Sequence, residues 1–187
     1  MMENAYQRKK EPELVRKRIL DGAMQLAAEK GVTGVSIQAV ATLAGITKGG
    51  VFHHFANKKI LIEAMLNLIL SQLDQEVDCM IAIDPEKYGC FTRAYIELTL
   101  TSEAFGVHSL WGALSMVMVT EQSFSHLWNH WLDNRLARHA ATDQDMYLKI
   151  LRYAADGAWF IERLDPQGSA DFIAMKEELI QRSYRAM

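Results

Sequence analysis

The strongest constraint on this chain is its punctuation. Apolar residues recur at helical spacing along nearly its whole length, and the breaks fall on glycines and capping side chains. Sustained strict alternation, the mark of a half-buried strand, is absent. Residues 13–30 set Ile19, Leu20, Ala23, Leu26 and Ala27 on a common side, and Gly31 is expected to stop that helix as a left-handed cap. Ser36 is a good N-cap for a short helix from Ile37 to Ala44, which Gly45 breaks. Thr47 caps a third helix, Lys48 to Phe55. Asn57 caps a long fourth that runs to about Ile83, ahead of Pro85. Further helices are expected at about 86–103, 107–118, 121–140, 143–164 and 169–185, with a turn at residues 165–168 and Ser169 as the last cap. The expected fold is all-α: a three-helix head bearing a helix-turn-helix, then a larger helical body, about nine helices in all.

Charge divides the chain in two. Residues 1–60 carry ten Lys/Arg against five acids, a net +5, and the remainder carries ten against eighteen, a net −8. A basic head beside an acidic body points to a polyanion partner at one end only, or to a merely solvated charged face. Cys79 and Cys90 form no metal pattern and fit free thiols in a reducing compartment. The first residues lack the apolar core of a signal peptide, and no apolar run reaches a membrane span, so a cytoplasmic protein with no membrane partner is expected.

Two short helices joined at Gly45 make a helix-turn-helix pattern. The third helix opens Lys48-Gly49-Gly50, and each glycine costs about 1 kcal/mol relative to alanine inside a helix. Two readings remain open for that cost. The main chain of this helix approaches a phosphate backbone closely, or the helix packs tightly against its neighbours.

Residues 31–61 settle on a family. Gly31, Ser36, Val40-Ala41, Ala44-Gly45-Ile46, Lys48-Gly49, the Phe52-His53-His54-Phe55 stretch, Lys58 and Leu61 together resemble the DNA-binding head of the TetR family of regulators, with Ile19, Ala23 and Leu26 fitting its first helix. The resemblance spans residues 13–65; the body matches in layout alone. It implies a flexible basic arm at 1–12, a helix-turn-helix DNA-binding domain at 13–58 and a ligand-binding and dimerisation domain at 59–187. It also implies DNA contacts from Ser36 and Gln38 at the second helix, from Thr47, Lys48, Gly49 and Gly50 opening the recognition helix, from His53 and His54, and from Lys58. Position 52 is Phe where the family usually has Tyr, so Phe52 is expected to pack rather than bond phosphate. Gly50 replaces a common small side chain, which weakens base reading there and leaves more to DNA shape.

In the body, the resemblance implies an effector pocket, and Trp111, Met116, Phe124, Trp128, Trp131 and Trp159 supply adaptable or flat apolar surface for it. Arg135 sits on the apolar stripe of the 121–140 helix, where a charge needs a partner. It holds an acidic ligand group, pairs with an internal carboxylate, or snorkels. His126 and His130 face away from that stripe, and no third metal ligand is evident; no metal or cofactor is expected. Leu148, Leu151, Ala155 and Ala158, with Phe172, Met175 and Leu179, line apolar sides of the last two helices. They are expected to form a four-helix bundle in a homodimer, or to bury against their own body. No triad, phosphate loop, paired-carboxylate signature or metal cluster suggests an enzyme. The reading is a DNA-binding transcriptional regulator, a repressor by the resemblance, bound to an inverted-repeat operator and released by a small hydrophobic or aromatic effector. The alternative is a DNA-binding protein without a sensor, controlled by a protein partner.

Overall fold

A computed structural model describes residues 2–100, 106, 109–164 and 170–184, without the side chains of residues 2–10, 113, 119, 170 and 171. Among these it is all helix: α1 (Met2–Gly34), α2 (Ile37–Ala44), α3 (Lys48–His54), α4 (Lys58–Ile83), α5 (Cys90–Leu100), α6 (Leu110–Thr120), α7 (Gln122–Arg138), α8 (Ala140–Asp143), α9 (Met146–Leu164) and α10 (Ala170–Arg182). The expected helix at 121–140 is two, because the chain leaves helical geometry at His139. The turn expected at 165–168 and its Ser169 cap lie outside the described residues. The chain divides into two compact units, Met1–Leu68 and Ile69–Met187, with the boundary inside α4.

The first unit departs from expectation in α1. Helical backbone begins at Met2, not at residue 13, and runs through Pro12. Residues 1–12 read as an arm because proline removes the bond to the carbonyl four residues back. The Glu, Gln, Lys, Arg and Ala around it are strong helix formers that outweigh that loss. At the other end Gly31 does take a positive φ, 70°, but with ψ at 171°. That conformation is extended and open essentially to glycine alone, so it kinks the chain rather than closing a left-handed cap. Gly45 is the left-handed cap (φ 66°, ψ 36°), and its N–H bonds back to the carbonyls of Ala41 and Thr42. Ile19, Ala23, Val35, Val40, Val51, Phe55 and Leu61 are fully or almost fully buried in this unit. The Arg16 guanidinium lies 5.0 Å over the Phe55 ring.

In the second unit α5 is the central helix. Nearly every residue from Cys90 to Leu100 is buried, as befits a helix packed on by α8, α9 and α10. Its buried Thr92 and Arg93 side chains are satisfied. Thr92 shares the Asp143 carboxylate, which also caps α5 by accepting from the backbone N–H of Thr92 at 2.8 Å. Arg93 grips Asp84 through two bonds of 2.7 Å and donates to the backbone carbonyls of Tyr88 and Ser183. These bonds tie the loop before α5 to the end of α10. Among the described residues no helix is long and apolar enough to cross a membrane.

Candidate nucleic-acid interface and ligand cavity

The motif residues of the first unit share one property: caps hold the backbone and leave the side chains outside. Ser36 Oγ accepts from Ala39 N at 3.2 Å to start α2, and Thr47 Oγ1 accepts from Gly50 N at 3.0 Å to start α3. Of the seven α3 residues only Val51 is buried. Ser36, Gln38, Thr47, Lys48, Gly49, Phe52 and His53 are exposed, and Gly50, His54 and Lys58 half-buried.

The two glycines can be tested against packing. A Cβ on Gly49 would meet nothing nearer than the Thr47 hydroxyl at 3.8 Å, and one on Gly50 would reach ordinary contact with Thr47 and Ile46 at 3.4–3.6 Å. No neighbour within the unit requires the missing side chains, so internal packing does not explain them. Phe52, 43% exposed, lies beneath Lys48, whose Nζ is 5.8 Å from the ring centroid, and this cation–π contact steadies the lysine at the helix surface. His53 and His54 meet edge to face at 5.4 Å. Burial, helped by the positive charges of His53 and Arg16, holds the His54 pKa below the usual imidazole value. His54 is therefore mostly neutral at physiological pH; His53 is the more exposed of the two. Lys58 donates to the Thr33 carbonyl at 3.4 Å, so it braces the start of α4 against the end of α1.

The second unit holds a cavity of about 520 Å³ between α5, α6, α7 and α9. Trp111, Trp128 and Trp159 line it as expected. Four expected residues do not. Met116 packs against the buried cluster around Ile96 and Leu148. Phe124 is buried away from the cavity. The Trp131 indole is turned so that its N–H donates to Asp74 at 3.0 Å. Arg135 is fully buried: its Nε donates to Asp74 at 2.5 Å, and its other nitrogens reach Asp78 and the Asp74 carbonyl. Of its three possible roles, pairing with internal carboxylates is the one realised, and Arg135 does not line the cavity. Asp74 also takes Arg138 at 2.9 Å. Burial pushes the Asp74 carboxyl up, but the bond from Arg138 and the charge of Arg135 outweigh it and hold its pKa below the usual value.

The residues that sequence reading missed are the polar ones. Tyr95 and Thr99 come from α5, Ser115 from α6, Ser125 and Asn129 from α7, and Asp156 from α9. Tyr95 Oη donates to Asp156 Oδ1 at 2.5 Å. Asp156 is exposed as a residue, at the cavity rim, yet its carboxylate reaches inward to the buried Tyr95. Burial raises the pKa of Asp156, with the Tyr95 bond and the Arg152 charge opposing, and burial beside Asp156 raises that of Tyr95 well above the phenol value. The one available signal was a lone carboxylate in the otherwise small and apolar run Ala154–Phe160.

The dimer residues also need correcting. Leu148, Leu151, Ala155, Ala158, Trp159 and Leu179 form one buried cluster with Ile96 and Leu100 inside the protomer, and Phe172 packs against it. Met175, 48% exposed, lies outside that cluster. The stripe with the strongest helical periodicity is spent on the protomer's own core. What remains exposed on α9 is a second stripe at spacings of three and four: Met146, Ile150, Tyr153, Gly157, Phe160 or Ile161, and Leu164.

Cys90, His139 and Asp143 bring ligand atoms within 4.8 Å of one another. The Asp143 oxygens already accept from Thr92 N and Oγ1, Phe91 N and Thr142 Oγ1, and the His139 ring stacks on Phe91, so the group is a helix cap in structural use.

A helix-turn-helix whose third helix buries Val51 alone marks a DNA-binding regulator, and the second unit is an all-helical body with an aromatic-lined cavity. Residues 19–65 match the family model described as bacterial regulatory proteins, tetR family, and residues 89–184, half of the chain, match the tetracyclin repressor-like C-terminal domain. The chain belongs to the TetR family of transcriptional regulators, as its head motif implies, and this is a family of regulators rather than enzymes. The HTH-type transcriptional repressor KstR2 of Rhodococcus jostii RHA1 is 22% identical over 91% of this chain and 79% of its own. The uncharacterised HTH-type regulator YvkB of Bacillus subtilis 168 is 41% identical over 27% of each chain. The crystal structure of the multidrug binding protein EbrR with malachite green superposes with a TM-score of 0.71 at 23% identity, covering 91% of this chain and 98% of that one. The chain thus spans most of KstR2 but about a quarter of YvkB.

Proposed function

We propose that the protein is a cytoplasmic homodimeric repressor that leaves an inverted-repeat operator when a small aromatic effector fills the cavity. The observation that carries the reading is the cavity itself, about 520 Å³ and walled by three tryptophans, in a chain whose head is a helix-turn-helix. A body filled solid with side chains would favour the partner-controlled alternative; the cavity supports the effector reading instead. KstR2 is named a repressor, and EbrR is described as a multidrug binding protein with malachite green and ethidium bound; both favour an effector-released repressor here.

Ser36, Gln38, Thr47, Lys48, Gly49, Gly50, Phe52 and His53 are the groove and phosphate set; His54 and Lys58 act mainly by bracing it. Two such helices related by a two-fold axis meet half-sites about 34–36 Å apart or a multiple of that. The second copy covers the exposed α9 stripe, with Ile150, Tyr153, Ile161 and Leu164 at its centre and Ile173 of α10 beside it, because so long an apolar stripe is otherwise left in water. Release requires the effector to prefer the DNA-incompetent state, by about 5.5 kcal/mol to reverse a hundredfold bias fully. A gel-shift assay with the protein's own upstream region tests the DNA contacts. Lys48→Ala with His53→Ala is expected to abolish the specific shift; an unchanged shift removes these residues from the interface.

A further inference from the structure

The polar content of the cavity is lopsided. Its walls are the rings of Tyr95, Trp111, Trp128, Trp159 and Phe160, and its one charged side chain among the described residues is Asp156. No Lys, Arg or His of the described residues lines it. Trp111 and Trp128 lie 5.9 Å apart, and Trp128 and Tyr95 6.2 Å, tilted rather than stacked on one another. Each ring face carries the negative end of the aromatic quadrupole. Arg152, one turn back on α9, does not donate to Asp156. Its guanidinium is bonded to Thr92 Oγ1 at 2.6 Å and lies against the Asp143 carbonyl. Inside the cavity the carboxylate's hydrogen bond comes from a neutral phenol, which shares its charge without cancelling it.

From this arrangement we propose that the cavity is a receptor for flat organic cations, with Asp156 as counter-ion and the tryptophan faces as the cage. The proposal rests on the effector reading above and narrows it to a charge class. A cation in the cavity gains the carboxylate and the ring faces together. A neutral ligand of the same shape gains only the rings. An anion meets the carboxylate and the negative ring faces, so anionic effectors are excluded. Tyr95 positions Asp156 by holding one oxygen, and its own hydroxyl proton stays in place because its pKa lies well above the phenol value.

Two probes of one shape test it: N-methylacridinium, a permanent cation, and acridine, uncharged in mildly alkaline buffer. Both are titrated into the full chain by calorimetry and by quenching of tryptophan fluorescence. The wild-type protein is expected to prefer the cation by about tenfold or more. Asp156→Asn and Asp156→Ala bind the two probes alike, and Asp156→Glu keeps the preference. Ser115→Trp, which fills the cavity, loses both probes. Equal binding of the two probes by the wild type, or a preference that survives Asp156→Asn, overturns the cation proposal and leaves the cavity as the effector site. Failure of both probes to bind, or binding undiminished in Ser115→Trp, overturns the cation proposal and the effector reading together.

Discussion

The two units differ in how far apart in sequence their determinants lie. In the first, the caps that start α2, α3 and α4 are fixed by partners three positions away: Ser36 by Ala39, Thr47 by Gly50, Asn57 by Ile60. In the second, the decisive pairs are remote. Arg135 meets Asp74 across 61 positions, and Tyr95 meets Asp156 across the same span. The first unit presents a surface whose logic is local; the second presents an interior assembled from distant helices. Substitutions in the second unit should therefore propagate further, and the expected effects fall in that order.

The largest belongs to Asp74. It accepts from Trp131, Arg135 and Arg138, and Arg135 is wholly shielded from water. Asp74→Ala leaves that guanidinium with Asp78, whose side chain is 59% exposed, as its remaining carboxylate. A loss of about 3–4 kcal/mol in urea unfolding is expected, the low end of what breaking a buried pair costs, because one partner survives. A loss below about 1 kcal/mol would mean that long-range pairs do not govern the second unit.

Next comes the distinction between core and interface on α9. Leu148→Ala, at a position with no exposure, should cost about 3 kcal/mol of protomer stability by opening a cavity. Ile161→Asp, at a position 68% exposed, should leave protomer stability almost unchanged and shift the species seen by sedimentation from dimer to monomer. The opposite pattern would restore the buried stripe as the interface.

This pair also shows what was legible in the sequence. Caps and glycines are read locally, so the starts of α2, α3 and α4 follow from residues 31–61 alone. Period and composition likewise give an all-helical body. The same period shows that α9 is amphipathic but not what its apolar side faces, since a protomer core and a partner look alike to a hydrophobicity pattern. Arg135 was placed on the right stripe, but its partner lies on α4, and no spacing within α7 points there. The family resemblance implies the cavity, and the tryptophans named for it, Trp131 apart, line it. The pairing of Tyr95 with Asp156 is not legible, because a hydrogen bond between helices leaves no mark on either one.

Two carboxylates sharpen the comparison through pH, with opposite signs. Burial pushes the Asp84 carboxyl up, but the Arg93 bonds and the Glu86 N–H outweigh it, so its folded pKa lies below the unfolded one. The stability it supplies is present above the unfolded pKa and is lost as pH falls through the folded value. Asp84→Asn should cost about 2 kcal/mol at neutral pH and flatten the acid limb of the stability profile. Asp156, raised by burial, contributes the other way: its stability is fullest below the unfolded pKa and is lost as pH rises through the raised one. Asp156→Asn should therefore leave neutral-pH stability unchanged or slightly higher. Denaturant midpoints across the acid range check both, and an unaltered acid limb in Asp84→Asn would remove that pair from the account.

The smallest expected effect tests the local logic of the head. Thr47 is exposed, and its hydroxyl oxygen starts α3 by accepting from Gly50 N. Thr47→Ala should cost about 1 kcal/mol, the usual worth of an N-cap, while Thr47→Ser costs almost nothing. The consequence for DNA is larger than for stability, because α3 spans only seven residues and buries Val51 alone. A short helix with one anchored side chain depends on its cap to hold Lys48 and the two glycines in register. Thr47→Ala should thus weaken the operator shift more than its stability loss accounts for, and Thr47→Ser should restore register but not any contact made by the threonine methyl. If Thr47→Ser binds the operator as the wild type does, Thr47 acts as a cap; if it binds as weakly as Thr47→Ala, the methyl group itself touches the DNA.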